Sequence, residues 1–275
     1  MIYYFKGGVS MAKIKTKDDT YEVAVAREQW VVQANKMIQK SRFELSFAEQ
    51  RIIKYAISLI KPDSHTLSYE FNIRDYAKIC GLDSDQGVLY QDTRSVLKEI
   101  SDRSWWIEQE DGSEVLVRWI VKAKMTKRSG KVTLVFDEDM MPYLLDFREN
   151  YTQYQLINTL AMKSIYSVRI YELLISLSWR AKSYKNKVWV ESLNLDILKK
   201  RLNVHDLLTY NNFAAFERRV LKMAQQEINK YTDIEINYTP IKQGRKVVDV
   251  EFQIRHRDNM EKSLVAYHNS KILNV

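Results

Sequence analysis

At 275 residues the chain is long enough for two domains of ordinary size, each with its own core. Its 43 Lys and Arg against 35 Asp and Glu leave a net charge of +8, a balance that favours polyanions such as DNA, RNA or an acidic membrane surface. One cysteine, Cys80, excludes an internal disulfide and suits a reducing cytoplasm. No run reaches the roughly 18 apolar residues of a membrane span, and Met1 to Val9 lacks the h-region and cleavage site of a secretory signal.

Residues 1–10 read as a mis-assigned or artificial start, because Met11 opens a more ordinary beginning, and the stretch to Tyr21 is expected to be mobile. Val31 to Gln39 leads through Ser41-Arg42-Phe43-Glu44-Leu45 to Ser46-Phe47-Ala48-Glu49, which has capping-box spacing. The next helix places Ile52, Ile53, Ala56, Ile57 and Ile60 on one face and ends at Pro62. Leu67 to Phe71 alternates like a strand. Asn72 caps a helix over Ile73 to Cys80, closed by Gly81. A third helix runs from Val88 to Arg103. Strands come after it at Trp105 to Ile107 and Glu114 to Lys124, with extra strand expected around Glu110-Asp111-Gly112. A basic turn at Lys127 to Gly130 leads to a returning strand, Lys131 to Phe136.

Asp137 to Thr159 shows no strong period and reads as a connector, partly helical. The second unit has helices over Leu160 to Ser178, Leu195 to Leu202 behind Asn194, and Asn212 to Tyr231. Its strands are Val188 to Val190, Ile234 to Tyr238 and Val248 to Phe252, the last two flanking a second basic turn. The expected divisions are a flexible segment 1–29, a first unit 30–140, a connector 141–159, a second unit 160–258 and a polar, peripheral tail 259–275.

The two units are copies. Arg51-Ile52-Ile53-Lys54-Tyr55-Ala56-Ile57-Ser58-Leu59 recurs as Arg169-Ile170-Tyr171-Glu172-Leu173-Leu174-Ile175-Ser176-Leu177. Arg94-Ser95-Val96-Leu97-Lys98 recurs as Arg218-Arg219-Val220-Leu221-Lys222. Two matches in the same order mark one duplicated folding unit. The unit reads helix, helix, helix, β-hairpin, as many small DNA-reading domains do, so the fold class is α+β, two tandem winged helices related by internal duplication.

Catalytic signatures are missing. None of the seven glycines falls in a G-x-x-x-x-G-K-[ST] frame. The four histidines, His65, His205, His256 and His268, show no metal-ligand spacing, and there is no G-x-S-x-G elbow. Tyrosines are more simply amphipathic core and interface residues than nucleophiles, and Cys80 reads as core. The expectation is a non-enzyme without cofactor or metal.

The third helix of each unit carries the candidate site. Phe213, Phe216, Val220, Ala224, Ile228 and Tyr231 share one side of the second copy's helix; Arg218, Lys222, Gln225 and Asn229 lie opposite, with Arg219 beside them and Asn212 at its start. Glu227 falls on the apolar side and must be paired or reach solvent. In the first copy Leu89, Val96 and Ile100 face in, while Gln91, Arg94, Lys98 and Ser101 face out. Such side chains pair with base edges and phosphates in a major groove, although any surface helix has a solvated charged face.

Arg118 to Lys131 holds six basic residues and no acid, including Lys127, Arg128 and Lys131. Lys242-Gln243-Gly244-Arg245-Lys246 is the counterpart. A basic hairpin tip beside a recognition helix is a wing that grips phosphate or the minor groove; edge lysines also merely discourage aggregation. Arg180 to Lys187 is a third basic stretch.

Val32-Gln33-Ala34-Asn35-Lys36, Leu45-Ser46-Phe47-Ala48-Glu49-Gln50-Arg51, Phe216-Glu217-Arg218-Arg219-Val220-Leu221, Glu227-Ile228-Asn229 with Thr232-Asp233-Ile234, and Ile241 to Val247 together resemble the initiator Rep family of theta-replicating, iteron-bearing plasmids. The resemblance spans about Val31 to Arg257 and implies two winged-helix domains that bind repeated origin sequences in double-stranded DNA. It implies that the C-terminal domain is the main base reader, with Asn212 to Tyr231 as its recognition helix. It further implies a monomer that helps open the origin and recruits host replication proteins such as helicase or initiator. A homodimer, formed through the N-terminal domain, would repress its own gene. The rival readings are a tandem winged-helix transcription regulator and a tyrosine nickase. The outward residues of the copies differ, so the two units are expected to read different parts of one site.

Overall fold

The computed structural model describes residues 19–40, 45–61, 66–82, 85–109, 111–145, 150–178 and 188–273. The expectations for Pro62, Glu110 and the basic stretch from Arg180 lie outside the described residues, as does most of Ser41 to Leu45.

The described chain begins with α1 (Asp19–Arg27), then β1 (Trp30–Ala34), α2 (Asn35–Lys40) and α3 (Phe47–Ser58). The capping box before α3 forms as the spacing predicts: Glu49 N donates to Ser46 Oγ and Ser46 N to Glu49 Oε2. β2 (Ser68–Asn72) leads to α4 (Ile73–Cys80), with Asn72 as N-cap and Gly81 in the left-handed region at φ 64° closing it. Leu82 N reaches back to Ala77 O, the backbone pattern that absorbs a helix's last carbonyls. α5 (Gln86–Ser101) precedes the hairpin β3 (Ser104–Glu108) and β4 (Glu114–Arg118), then β5 (Ile120–Thr126) and β6 (Lys131–Phe136).

α6 (Met141–Leu144), β7 (Tyr151–Gln155), α7 (Ile157–Leu160) and α8 (Ile165–Leu177) come next. The second unit adds β8 (Val188–Asn194), α9 (Leu195–Arg201), α10 (Phe213–Phe216), a π-type turn at Glu217–Leu221, α11 (Lys222–Tyr231), β9 (Ile234–Gln243) and β10 (Lys246–His256). α12 (Asn259–Leu273) is the last described element.

The duplication is structural. One sheet runs β2-β6-β5 and the other β8-β10-β9, so in both copies the returning wing strand lies in the middle. Matched details repeat as well. Ser58 Oγ donates to Tyr55 O and Ser176 Oγ to Leu173 O, each at 2.7 Å. Asn72 and Asn194 each cap the second helix of their unit and donate Nδ2 to a backbone carbonyl of the wing, Ser129 O and Val248 O. Each copy is a winged helix.

Three organisational expectations are corrected. Residues 141–159 are not a connector: Thr152 and Tyr154 alternate inward, and Tyr151–Gln155 pairs antiparallel with Trp30–Ala34. A five-residue polar strand is too short for its period to show in sequence. Segment 1–29 is not uniformly flexible, because Asp19–Arg27 is helical and Arg27 is 1% exposed. The tail 259–275 is not peripheral, because α12 packs on α7 and α11 and buries Asn269 and Leu273.

The expected helix from Leu160 is two pieces, and α8 is the centre of the molecule. Its residues from Ser167 to Leu177 are all buried. Such all-round burial suits a helix that is largely apolar, its buried Arg169 and Glu172 being engaged by partners, and α8 packs on α2 of the first unit and α11 of the second. One helix thus serves both cores.

Candidate nucleic-acid interface

The candidate interface comprises the third helix and wing of each unit. In the second copy, Phe216, Val220, Ala224 and Ile228 are buried, which holds the helix against α8 and β9. Asn212 Oδ1 accepts from Ala214 N at 2.8 Å and so caps the helix start. Asn212 thus caps this helix, as its place before Phe213 predicts, and its side-chain oxygen is engaged at the helix end.

The π-type turn falls on Glu217–Leu221, with Lys222 N donating to Glu217 O. Such turns are local insertions that often occur at functional sites. Here both Arg218 and Arg219 emerge exposed, side by side, and Lys222 next to them is exposed as well. The same turn offsets Lys222 to Tyr231 from a uniform helical projection. The outward stripe of α11 passes through Lys222, Gln226 and Lys230, all exposed.

Asn229 and Gln225 are therefore corrected. Asn229 is fastened to β9: its Nδ2 donates to Ile236 O at 2.9 Å and its Oδ1 accepts from Ile236 N at 2.6 Å. Gln225 Nε2 donates to Asn237 Oδ1 at 2.9 Å and Ile236 O at 3.3 Å. Both amides join the helix to the wing strand instead of facing outward.

The electrostatics of this helix are one-signed on its outer side. Its two acids are both engaged inward. Glu217 accepts from the Tyr238 hydroxyl at 3.2 Å; burial, then the neighbouring Glu217, pushes that phenol up to about 12. Glu227 accepts from Lys163 N and Ser164 N at 3.0 and 3.1 Å, filling the N-terminus of α8. The pairing that its apolar position demands is thus with backbone. Arg218, Arg219 and Lys222 have no ion pair among the described residues.

The second wing places Lys242, Gln243, Gly244, Arg245 and Lys246 all in solvent. Gly244 turns the hairpin at φ 62°, a conformation that costs other residues energy. Lys242, Arg245 and Lys246 are likewise without ion pairs among the described residues.

The first copy is built alike but charged differently. Leu89, Leu97 and Ile100 of α5 are buried, and Gln91, Arg94 and Lys98 are exposed as their spacing predicts; Ser101 is half-buried and donates to Lys98 O. Asp92 and Glu99 share the exposed side, and Lys98 Nζ pairs with Asp102 at 2.8 Å. Lys131 pairs with Glu70 at 2.5 Å, and hydrogen bonds from Lys131 and Thr133 hold that carboxyl below its usual range. Lys98 and Lys131 are therefore partly neutralised, whereas Lys127 and Arg128 at the tip are exposed without ion pairs among the described residues. Lys122 and Lys124 on β5 are exposed too; their alternate spacing is the signal that places both on one strand face.

The first wing is anchored at its turn. Ile73 N donates to Gly130 O at 2.9 Å and Asn72 Nδ2 to Ser129 O at 2.8 Å. The turn is thus tied to the N-terminus of α4.

Residues 30–175 match the family described as "Initiator Replication protein, WH1", and residues 194–254 match "Initiator Rep protein, WH2". The chain belongs to the initiator Rep protein family. A replication initiation protein of Escherichia coli is 26% identical over 224 residues, covering 78% of this chain and 66% of that relative, just under two thirds of its length. Among solved structures, the Pi initiator protein in complex with iteron DNA superimposes with a TM-score of 0.69 at 20% identity, over 85% of this chain and 99% of that one. The two winged helices and their order are those of this Rep family. α1 and α12 lie outside both matched segments.

Among the described residues no helix is long and apolar enough to cross a membrane, and no group of His, Cys, Asp and Glu could hold a metal ion.

Proposed function

We propose that this chain is a plasmid replication initiator that binds repeated origin sequences in double-stranded DNA through both winged helices. The observation that carries this reading is the outer face of Phe213 to Tyr231. Three neighbouring cations, Arg218, Arg219 and Lys222, stand exposed there, while Glu217 and Glu227 are drawn inward. A one-signed helix face beside a cationic wing suits a groove flanked by phosphates, with arginine able to bond guanine bidentately.

The second unit is the main base reader and the first, with its mixed charge, contributes more to positioning. Membership in the initiator Rep family and the iteron DNA bound by the related Pi protein support the choice of origin repeats. On this reading the protein distorts the origin with binding energy and recruits host replication proteins, helicase or initiator, for unwinding. A homodimer represses the protein's own gene. No covalent step and no cofactor enter, and its place of work is the cytoplasm.

The test is plasmid maintenance with the protein supplied in trans to an origin lacking its gene. Maintenance that requires both the protein and its direct repeats is expected. Promoter repression without maintenance would favour a transcription regulator instead. Covalently trapped, nicked origin DNA would favour an enzyme.

A further inference from the structure

Two segments outside the matched Rep domains meet. α1 begins the described chain and α12 ends it, and they come together over the end of α4 in the first unit. Their meeting point is Arg27. Its Nε donates to Ile79 O at 2.7 Å, and its terminal nitrogen donates to Lys78 O at 2.8 Å and Leu273 O at 3.1 Å. Lys78 and Ile79 are in the last turn of α4, and Leu273 ends α12. One guanidinium therefore holds the carbonyl ends of α4, in the first unit, and of α12, which also packs on α11 of the second.

The electrostatic reason is direct. Helix C-termini carry partial negative charge and unpaired carbonyls. Two such ends brought together repel unless a cation or donor separates them. Arginine supplies both, with a planar fork that reaches several acceptors. The fit is close: a Cβ at Gly81 would sit 2.8 Å from Leu273 O and 2.9 Å from its Cα.

The other side of α12 is fastened to α11 of the second unit and to α7. Asn269 is buried and donates to Tyr231 O at 2.8 Å and Ile157 O at 3.5 Å. Tyr231 is the last residue of α11. The path runs from the end of the second unit's recognition helix, through Asn269 and Leu273, to Arg27 and the end of α4. α4 packs on α5, the first unit's third helix.

We propose that α1 and α12 form a latch, closed by Arg27, which sets the spacing and rotation between the two DNA-reading helices. α8 joins the units at one place, and a second attachment on other elements removes the freedom left by the first. Arg27 and Asn269 are positioning residues for DNA recognition: they touch no DNA and select the distance between the two parts of a site. This inference rests on the proposal that both units engage one DNA. One inserted base pair turns the far part of the site by about 34°, which a latched protein cannot follow.

The test has two arms. Spin labels at Ser95 and Gln226, exposed on the two reading helices, report their separation without DNA. The full-length protein should give a narrow distance distribution, and Arg27→Met and Asn269→Leu a broader one. In the second arm, duplexes carry one or two extra base pairs between the footprints of the units. The unaltered protein should lose at least tenfold in affinity on insertion, and each variant less than about threefold. Circular dichroism with a cooperative thermal transition confirms folding, and Asn269→Leu, which keeps the branching at Cγ, serves if Arg27→Met does not fold. Distance distributions unchanged in both variants would overturn the latch. A footprint confined to one unit, with the distributions still broadened, would instead overturn the two-reader proposal and leave the latch standing.

Discussion

Lys54 and Glu172 occupy equivalent positions in the two copies of the repeated segment, and their side chains pair with each other in the interior. Gln33 Nε2 and the Tyr154 hydroxyl also donate to Glu172 Oε1, at 2.9 and 2.6 Å. Burial alone would raise the Glu172 carboxyl, but Lys54 and Arg169 outweigh it and hold the group below its ordinary range. Duplicated positions have thus become complementary charges where the copies meet. Breaking a buried pair from one side leaves an uncompensated charge.

Lys54→Met and Glu172→Gln should each destabilise the protein by about 3–5 kcal/mol. The double variant should cost less than the sum, because the new glutamine amide still accepts from Tyr154 and Gln33 while neither charge of the pair remains buried. Urea unfolding of the four proteins measures the coupling. Strictly additive losses would show that the two groups do not act as a pair.

Arg218→Ala should weaken specific DNA binding by about 1–3 kcal/mol if the guanidinium bonds a base bidentately. Competition with random duplex separates the cases. An equal loss on both duplexes would reassign Arg218 to phosphate.

Asn229→Ala should behave in the opposite way. It leaves the amide and carbonyl of Ile236 without this partner, at about 1–3 kcal/mol of stability, while base preference stays unchanged. Thermal unfolding alongside selection from a randomised duplex pool checks both halves. An altered consensus sequence would restore Asn229 to the reading face.

Replacing Arg245 and Lys246 by alanine should weaken all duplexes alike. The slope of log K against log salt should fall by about 0.9 for each phosphate no longer neutralised. A slope equal to that of the unaltered protein would show that the second wing does not touch DNA.

His256 predicts an acid sensitivity. Its ring lies against Trp189 at 4.7 Å between centroids, and burial, opposed by Asp233, keeps its pKa below the ordinary 6.5. Between that lowered value and 6.5 the unfolded chain binds more proton than the folded one. Stability therefore falls as the pH drops below about 6.5, until the folded ring is itself protonated. Unfolding free energies from pH 7.5 to 5 should show this slope, and His256→Phe should remove much of it. An unchanged slope would assign the effect to other groups.

The local elements were legible because their signals are local. Ser46 with Glu49, Asn72, Gly81 and Asn194 cap the helices that their spacing predicts, and the hairpin turns fall on Gly130 and Gly244. The repeated segments revealed the duplication, and hence the two winged helices, without any knowledge of packing. Gln91, Arg94 and Lys98 emerged on the expected side because α5 is a regular helix.

What escaped depends on partners distant in sequence. A uniform period cannot foresee the π-type turn at Glu217–Leu221, so it misplaced Gln225 and Asn229, whose orientation is settled by Ile236. Composition made residues 259–275 look peripheral, since only a view across the fold shows Leu273 O meeting Arg27. The amino-acid order by itself determined two basic helix-and-wing units and the faces of their helices, because capping and periodicity act over a few residues. Tertiary structure alone decided which polar groups are withdrawn from those faces and how the units are held together. Pairings such as Lys54 with Glu172 and Arg27 with Leu273 exist only once the chain has folded.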